Sequence, residues 1–352
     1  MTQGAVRPTQ IPVHGQIYGL VSGAWVAQMI NAVAELGIAD ALSDDKPVPA
    51  DELAVATGVD PDKLHRILRA LTAFGVFAAD TEGRYVHTDL SRVLRRDHPT
   101  SMRNAVLTAC ADWQWQSWSR LTDSVRSGRS AFDDVFGKDM WSYFAEDDPG
   151  AETVFQEAHS ELATMTDRPL AAAVDIADAV TVVDIGGGYG DFLAAVVDRH
   201  PHLNGVLFDT PGTLRSLASD TAAARRAERF TLQPGDFCET VDCSADIYLL
   251  KLIICSFDDD MGVRILRNCA ANAKPGARIV VIDRVVTNGP DSVQAKLSDV
   301  QMFVLHPDGR VRTEREFADL FEKAGLGAPH FTPTPSGIYL IEATMHGEAA
   351  RS

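Results

Sequence analysis

The sequence predicts an α/β protein in two unequal parts, a doubly wound parallel sheet preceded by a mainly helical N-terminal domain with the outline of a winged helix. Three observations predict it. From about residue 170, five β-type runs alternate with helical stretches. The first of those runs passes directly into a glycine-rich turn, DIGGGYG, residues 184–190. Near the N-terminus, two short helical patterns are followed by a hairpin pattern. The expected division is 1–105 for the N-terminal domain, 106–168 for linking helices, and 169–352 for the sheet domain.

Between Arg7 and Glu35 there is no Asp, Glu, Lys or Arg. His14, Gln16, Gln28, Asn31, Pro12 and three glycines interrupt the stretch, which argues against a membrane span and for an apolar, buried helix. Asp51 is expected to precede a short helix that Gly58 ends, and Asp60-Pro61 to start the next. Leu64, Ile67, Leu68 and Leu71 give that second helix an apolar stripe. After Gly75, VFAADTEGRYVHT reads as a hairpin turning at Glu82-Gly83. Residues 106–168 read as helices rich in aromatics, among them Trp113, Trp115, Trp118, Trp141, Tyr143 and Phe144; most such side chains are core.

In the sheet domain the runs are VTVVDI, GVLFDT, RFTLQPG, DIYLLKLII and ARIVVIDRVV. A last run, SGIYLIEATM, follows the helical EREFADLFEKAG and is expected to add an edge strand.

Charge and cysteine usage narrow the class. With 49 acidic against 32 basic side chains the formal charge is −17, unfavourable for nucleic acid or an anionic membrane surface. The helix DPDKLHRILRAL has three basic side chains, too modest a footprint to make a DNA reader of the winged helix; packing against a partner subunit is the expected role. Five cysteines with no CxxC pair predict neither a disulfide framework nor a metal site. The opening MTQGAVRPTQ lacks the pattern of a secretory leader, so a cytoplasmic location is expected.

The glycine turn carries the functional signal. Gly186, Gly187, Gly188 and Gly190 let the backbone turn tightly and let a ligand approach the start of the next helix. A dinucleotide fingerprint wants its third glycine where Asp191 stands, and that carboxylate would repel a pyrophosphate. No GK[ST] follows, so a P-loop is excluded as well. The turn suits a ligand with a small anionic end, such as an amino-acid carboxylate. Asp209 closes the next run 25 residues after Asp184, where a carboxylate would hold a ribose diol. Asp236 in PGDF is placed to accept from an adenine amino group, with Phe237 against the ring.

The runs DIGGGYG, FDTPG, PGDF, YLLK and PGARIVVID together resemble the plant and bacterial small-molecule O-methyltransferases that use S-adenosylmethionine. The resemblance covers nearly the whole chain, including SVRSGRSAFDDVFGKDMWSYFAEDD and RTEREFADLFEKAGL. It implies a class I methyltransferase, Rossmann-like domain, a winged-helix dimerisation domain and a homodimer. It also implies cofactor contacts at Gly186, Gly188 and Lys251 for the methionine end, Asp209 for the ribose, and Asp236 and Phe237 for adenine. A small aromatic or polyketide-like substrate is expected between the two parts, against Trp141, Phe144, Met165, Asp299, Met302 and Phe303.

Two stretches depart from the family. Members that methylate hydroxyls follow the lysine with a stretch ending His-Asp-Trp, the His being the general base. Here KLIICSFDDD puts Cys255, Ser256 and Phe257 at those places. The glutamate of GG(K/R)ERT that orients the base is Val311 in HPDGRVRT, while a second acidic support survives as Asp283. A free thiol, with a pKa of about 8.5, is a poor proton acceptor, and general-base help is worth roughly 100- to 10,000-fold in rate. Three readings follow: methyl transfer by proximity alone, onto an already acidic group or a carbon; a fold redirected to hydroxylation, decarboxylation or rearrangement; or a base elsewhere, with His159, His306 and Asp299 as candidates. From other classes come a cofactor-sensing winged-helix regulator and, disfavoured by the missing third glycine, an NAD-linked oxidoreductase.

Overall fold

A computed structural model describes residues 12–176, 178–289 and 292–345; the leader-free reading of MTQGAVRPTQ falls outside them. The chain divides after Cys110 into two compact units. Most of the linking helices of 106–168 thus belong to the second unit.

In the first unit, helices Ala50–Thr57 and Pro61–Thr72 precede the antiparallel pair β1 (Phe77–Ala79) and β2 (Tyr85–His87), to which Val48 adds a bridge opposite Tyr85. Gly58 ends the first helix at φ +72°. Asp60 caps the second by accepting from the Lys63 amide at 2.9 Å, and Pro61 occupies its first turn. Asp51 does not precede the first helix; it lies in its first turn, which favours acids, and the helix opens at Ala50. Leu53, Leu64, Leu68, Leu71, Phe77 and Tyr85 are buried together as this unit's core.

The uncharged N-terminal stretch is the helix Val13–Glu35, but within its own chain it is not buried. Among its described residues only Val33 and Ala34, in its last turn, are buried, with Met29 and Ile30 packed partly buried against the core. Val13, Ile17, Tyr18, Leu20, Val21 and Trp25 remain between 59% and 81% exposed. An apolar pattern states a preference for burial without stating what provides it. By length and composition alone this helix also suffices to cross a membrane.

The second unit is built on a seven-stranded sheet: β3 (Thr181–Ile185), β4 (Asn204–Asp209), β5 (Thr231–Pro234), β6 (Ile247–Lys251), β7 (Arg278–Arg284), β8 (His330–Pro333) and β9 (Ile338–Thr344). Their spatial order is β5-β4-β3-β6-β7-β9-β8, with β3 to β7 parallel and β9 antiparallel to both neighbours. The run SGIYLIEATM is therefore an interior strand and not the edge. The edge on that side is β8, a four-residue strand ending in Pro333, a residue that edge positions tolerate and that hides a strand from pattern reading. Apolar clusters cover both faces of the sheet, as a buried parallel sheet requires. The order reverses between β3 and β6, and a crevice beyond the carboxyl ends of such strands is where open α/β sheets bind ligands.

Two further helices shape that crevice. Pro149–Ala173 packs against Asp191–Arg199, the helix that follows the glycine turn. Val293–Leu305 contributes Val304 and Leu305 to an aromatic cluster with Trp113, Phe132 and Phe144.

Candidate active site

The glycine turn leaves β3 with Gly186 at φ +66° and Gly188 at φ +57°, a region L-residues rarely adopt. A Cβ on Gly186 would lie 2.5 Å from Ile253 Cδ1 and 3.2 Å from Phe237 Cε1. The loops after β3, β5 and β6 thus meet at this glycine. Gly187 passes directly over the end of β3, where a Cβ would come 2.6 Å from Asp184 Oδ2. The amide of Gly188 donates to Asp209 Oδ2 at 2.9 Å, tying the turn to the end of β4. Asp209 also accepts from the Thr210 amide at 2.7 Å, and burial raises its carboxyl above the ordinary range. Asp236 is exposed and accepts from the Cys238 amide at 2.8 Å; Phe237 stands edge-on to Phe257 with ring centres 6.0 Å apart.

Lys251 ends β6, with its Nζ 2.6 Å from Asp167 Oδ1 and 5.4 Å from the centre of the Phe192 ring. Asp167 lies on the helix Pro149–Ala173, and sequence reasoning missed it. One stripe of that helix supplies Gln156, Ser160 and Asp167, at i, i+4 and i+11. A Cβ on Gly188 would sit 3.3 Å from Gln156 Oε1, Ser160 Oγ donates to Asp191 Oδ2 at 2.5 Å, and Asp167 takes Lys251. The only signal in the sequence was the polar spacing within QEAHSELATMTD. Asp191, whose carboxylate argued against a pyrophosphate, is engaged by Ser160 and by Arg226 at 3.1 Å. Beneath the turn, Asp184 is 1% exposed, neither of its oxygens has a hydrogen-bond partner, and burial pushes its carboxyl up to about 7.

Beyond Lys251 the chain makes an unusual turn. Leu252 has φ +57°, strain of roughly 1 kcal/mol or more for a residue with a Cβ. Cys255 follows in a short 3₁₀ turn, buried in a small cluster with Val311 and Ala295 and flanked by Leu252, Val286 and Met302. Its amide donates to Asp283 Oδ2 at 3.2 Å. Burial, followed by the charge of Asp283, raises the Cys255 thiol well above its usual value, so it is neutral. Asp283 is itself pushed up to about 6 by burial, and also accepts from the Arg284 amide at 2.7 Å. The turn is fastened from behind by Arg312, which is fully buried. Its guanidinium donates to the carbonyls of Ile254 and Phe257, both at 2.9 Å, and to Asp259 Oδ1. Sequence reasoning passed over this arginine too.

The remaining candidates fall into two groups. Asp299 accepts from the Val311 amide at 2.9 Å, and Met302 lies against Cys255, so these two share its surroundings. Phe303 instead packs into the aromatic cluster with Phe144, which is 1% exposed. Trp141 stands edge-on to Phe144 and Phe155 and stacks on His306 at 6.1 Å. His306 is buried, which pushes its imidazole down to about 4 and keeps it neutral near pH 7. Met165 is about half exposed.

His159 lies beside the aromatic group. It stacks on Phe155 with ring centres 4.2 Å apart, and its Nδ1 is 2.9 Å from the Phe155 carbonyl. Donation to that carbonyl places the proton on Nδ1 and leaves Nε2 as an acceptor. The side chain is exposed, and the protein atoms around it lower its pKa. The positive charges of Lys251 and Arg284 lower it further. A surface recess of about 430 Å³, lined by residues such as Arg129, Asp133, Lys138 and Asp308, shares none of these side chains.

The glycines that keep the turn open, the buried carboxylate of Asp209 and the paired charges of Lys251 and Asp167 fit a ligand with a ribose and an amino-acid end. Comparison with known proteins agrees. An O-methyltransferase domain profile matches residues 118–327, and an O-methyltransferase dimerisation domain profile matches residues 18–97. The mitomycin biosynthesis 6-O-methyltransferase of Streptomyces lavendulae is 36% identical over 327 residues, 92% of each chain. The aclacinomycin 10-hydroxylase of Streptomyces purpurascens is 33% identical over 308 residues, covering 85% of this chain and 82% of that one. Among solved structures, the SAH-bound form of a methyltransferase in calicheamicin biosynthesis matches with a TM-score of 0.80 and 33% identity, covering 96% of this chain and 99% of that one.

Proposed function

The chain belongs to the S-adenosylmethionine-dependent O-methyltransferase family, and on that premise we propose that it methylates a small aromatic or polyketide-like secondary metabolite without a histidine base after β6. The observation that carries this reading is the burial of a neutral Cys255 thiol against Val311 and Met302, where the resemblance places the base and its orienting glutamate.

S-adenosylmethionine supplies an electrophilic methyl group on a sulfonium. The protein's own work is then to bind, orient and exclude water. Gly186 and Gly188 keep the approach to the turn open, Asp209 holds the ribose, Lys251 holds the amino-acid end, and Phe237 covers the adenine. Trp141, Phe144, Met165, Asp299, Met302 and Phe303 are the proposed substrate contacts. Alignment alone can be worth several powers of ten when the accepting atom is already nucleophilic, as a carboxylate, an acidic phenolate or an electron-rich carbon is. Where the acceptor still carries a proton, His159 Nε2 and the neutral His306 are the candidate bases, and Asp283 is the buried carboxyl beside Cys255.

The similarity to a hydroxylase of the same family favours one second reading, that the cofactor is retained while the chemistry is redirected. Purified protein incubated with S-adenosylmethionine and candidate hydroxyaromatic substrates separates the two. Methyl transfer releases one S-adenosylhomocysteine per product. Product formed without it would remove the methyl-transfer reading.

A further inference from the structure

We propose that Asp167 is the receptor for the α-ammonium group of the cofactor, acting beside Lys251, which takes the α-carboxylate. The proposal rests on the use of S-adenosylmethionine by the family and concerns a residue that neither the glycine turn nor the acids at the strand ends point to.

The geometry begins with an unmet acceptor. Asp167 is 3% exposed. Its Oδ1 receives two hydrogen bonds, from Lys251 Nζ at 2.6 Å and from Thr166 Oγ1 at 3.1 Å. Its Oδ2 is buried and receives none. A buried carboxylate oxygen left without a donor is costly, and native structures rarely retain one unless a ligand or water completes it. The site around it asks for a cation. Asp191 adds negative charge near Asp167, and Asp184 is near enough to feel Asp167; Asp191 is paired with Arg226, while Lys251 is the cation whose charge acts on both Asp167 and Asp184. Burial raises the Asp167 carboxyl despite the lysine beside it, as expected for an acid short of positive charge.

An α-amino acid presents a cation and an anion on one carbon. The Lys251–Asp167 pair presents the complementary anion and cation at 2.6 Å, held by strand β6 on one side and by the helix Pro149–Ala173 on the other. The Gln156, Ser160 and Asp167 stripe sets that helix along Gly188 and Asp191, so the pair lies beside the turn that the ligand approaches. An ammonium donating to Asp167 Oδ2 leaves the lysine contact on Oδ1 intact and satisfies a buried acceptor that the fold leaves open.

Calorimetric binding to the full-length protein tests this with three ligands: S-adenosylhomocysteine, its decarboxylated analogue, which keeps the amine, and 5′-methylthioadenosine, which lacks the amino-acid end. Asp167→Asn should weaken the first two by roughly 10- to 100-fold, the range of a lost charge-assisted hydrogen bond, and the third by less than about threefold. If Asp167 only positions Lys251, the decarboxylated analogue will bind the variant and the unmodified protein alike, and the proposal is overturned. Equal weakening of 5′-methylthioadenosine would also overturn it, by showing a general loss of structure. Should the variant not fold, the unmodified protein still decides: deaminated S-adenosylhomocysteine must bind at least about tenfold more weakly than the parent, and equal binding sinks the idea. Failure of the unmodified protein to bind S-adenosylhomocysteine at all would remove the cofactor reading together with this one, a result distinct from either of the others.

Discussion

Cys255 and Val311, 56 residues apart in the chain, lie in the same small apolar cluster. The two positions where the family resemblance expects a base and the acid that orients it have thus both become apolar, and they are neighbours. A histidine placed alone at 255 would be buried with no acid at 311, and a glutamate alone at 311 would be a buried charge with nothing to orient.

Cys255→Ala should therefore lower kcat by less than about tenfold, since the thiol fills space without moving a proton. A loss beyond roughly 1,000-fold would make it a chemical participant. With a hydroxyl-bearing substrate, Cys255→His and Val311→Glu should each give little, and the double variant should exceed the product of the single effects by about tenfold or more. Steady-state rates of the four proteins decide it; plain additivity would count against the coupling.

The turn that carries Cys255 depends on Arg312. Arg312→Met removes four hydrogen bonds from a fully buried guanidinium, leaving the Ile254 carbonyl with only the Phe257 amide and the Phe257 carbonyl without this donor. Denaturant unfolding should show a loss of about 3 kcal/mol or more. A loss below about 1 kcal/mol would mean that the turn is held by something else.

Asp184 gives a pH signature. Its carboxyl is pushed up to about 7 in the fold from an ordinary 3.8, so between those values the folded protein keeps a proton that the unfolded chain has released. Its contribution to stability accordingly falls as pH rises from about 4 to about 7 and is constant above that range. Asp283, pushed up to about 6, adds a slope of the same sign over a narrower range. Asp184→Asn should flatten the decline of Tm between pH 5 and pH 7, measured by thermal unfolding at fixed ionic strength. An unchanged slope would show that Asp184 is not the group responsible.

The exposed apolar face of the helix Val13–Glu35 falls largely within the region matched by the dimerisation domain. Trp25→Glu combined with Ile17→Glu should shift the protein from dimer to monomer at micromolar concentration, with light scattering as the readout. A dimer of unchanged mass would place the interface elsewhere.

The sequence by itself determined the elements and the cofactor turn. Apolar runs identified β3, β4, β6 and β7, because a strand buried on both faces needs a continuous apolar stretch. The turn at Gly186 and Gly188 was legible because only glycine takes those positive φ values without strain. Tertiary structure decided what faces what. Asp167 and Lys251 are 84 residues apart, and no local pattern says that one helix stripe meets the end of that strand. The short strand ending in Pro333, the fully buried Arg312 and the openly exposed Trp25 were hidden for the same reason. A residue type states what environment it prefers, while burial, pairing and an acceptor left open at Asp167 Oδ2 are properties of the elements packed around it.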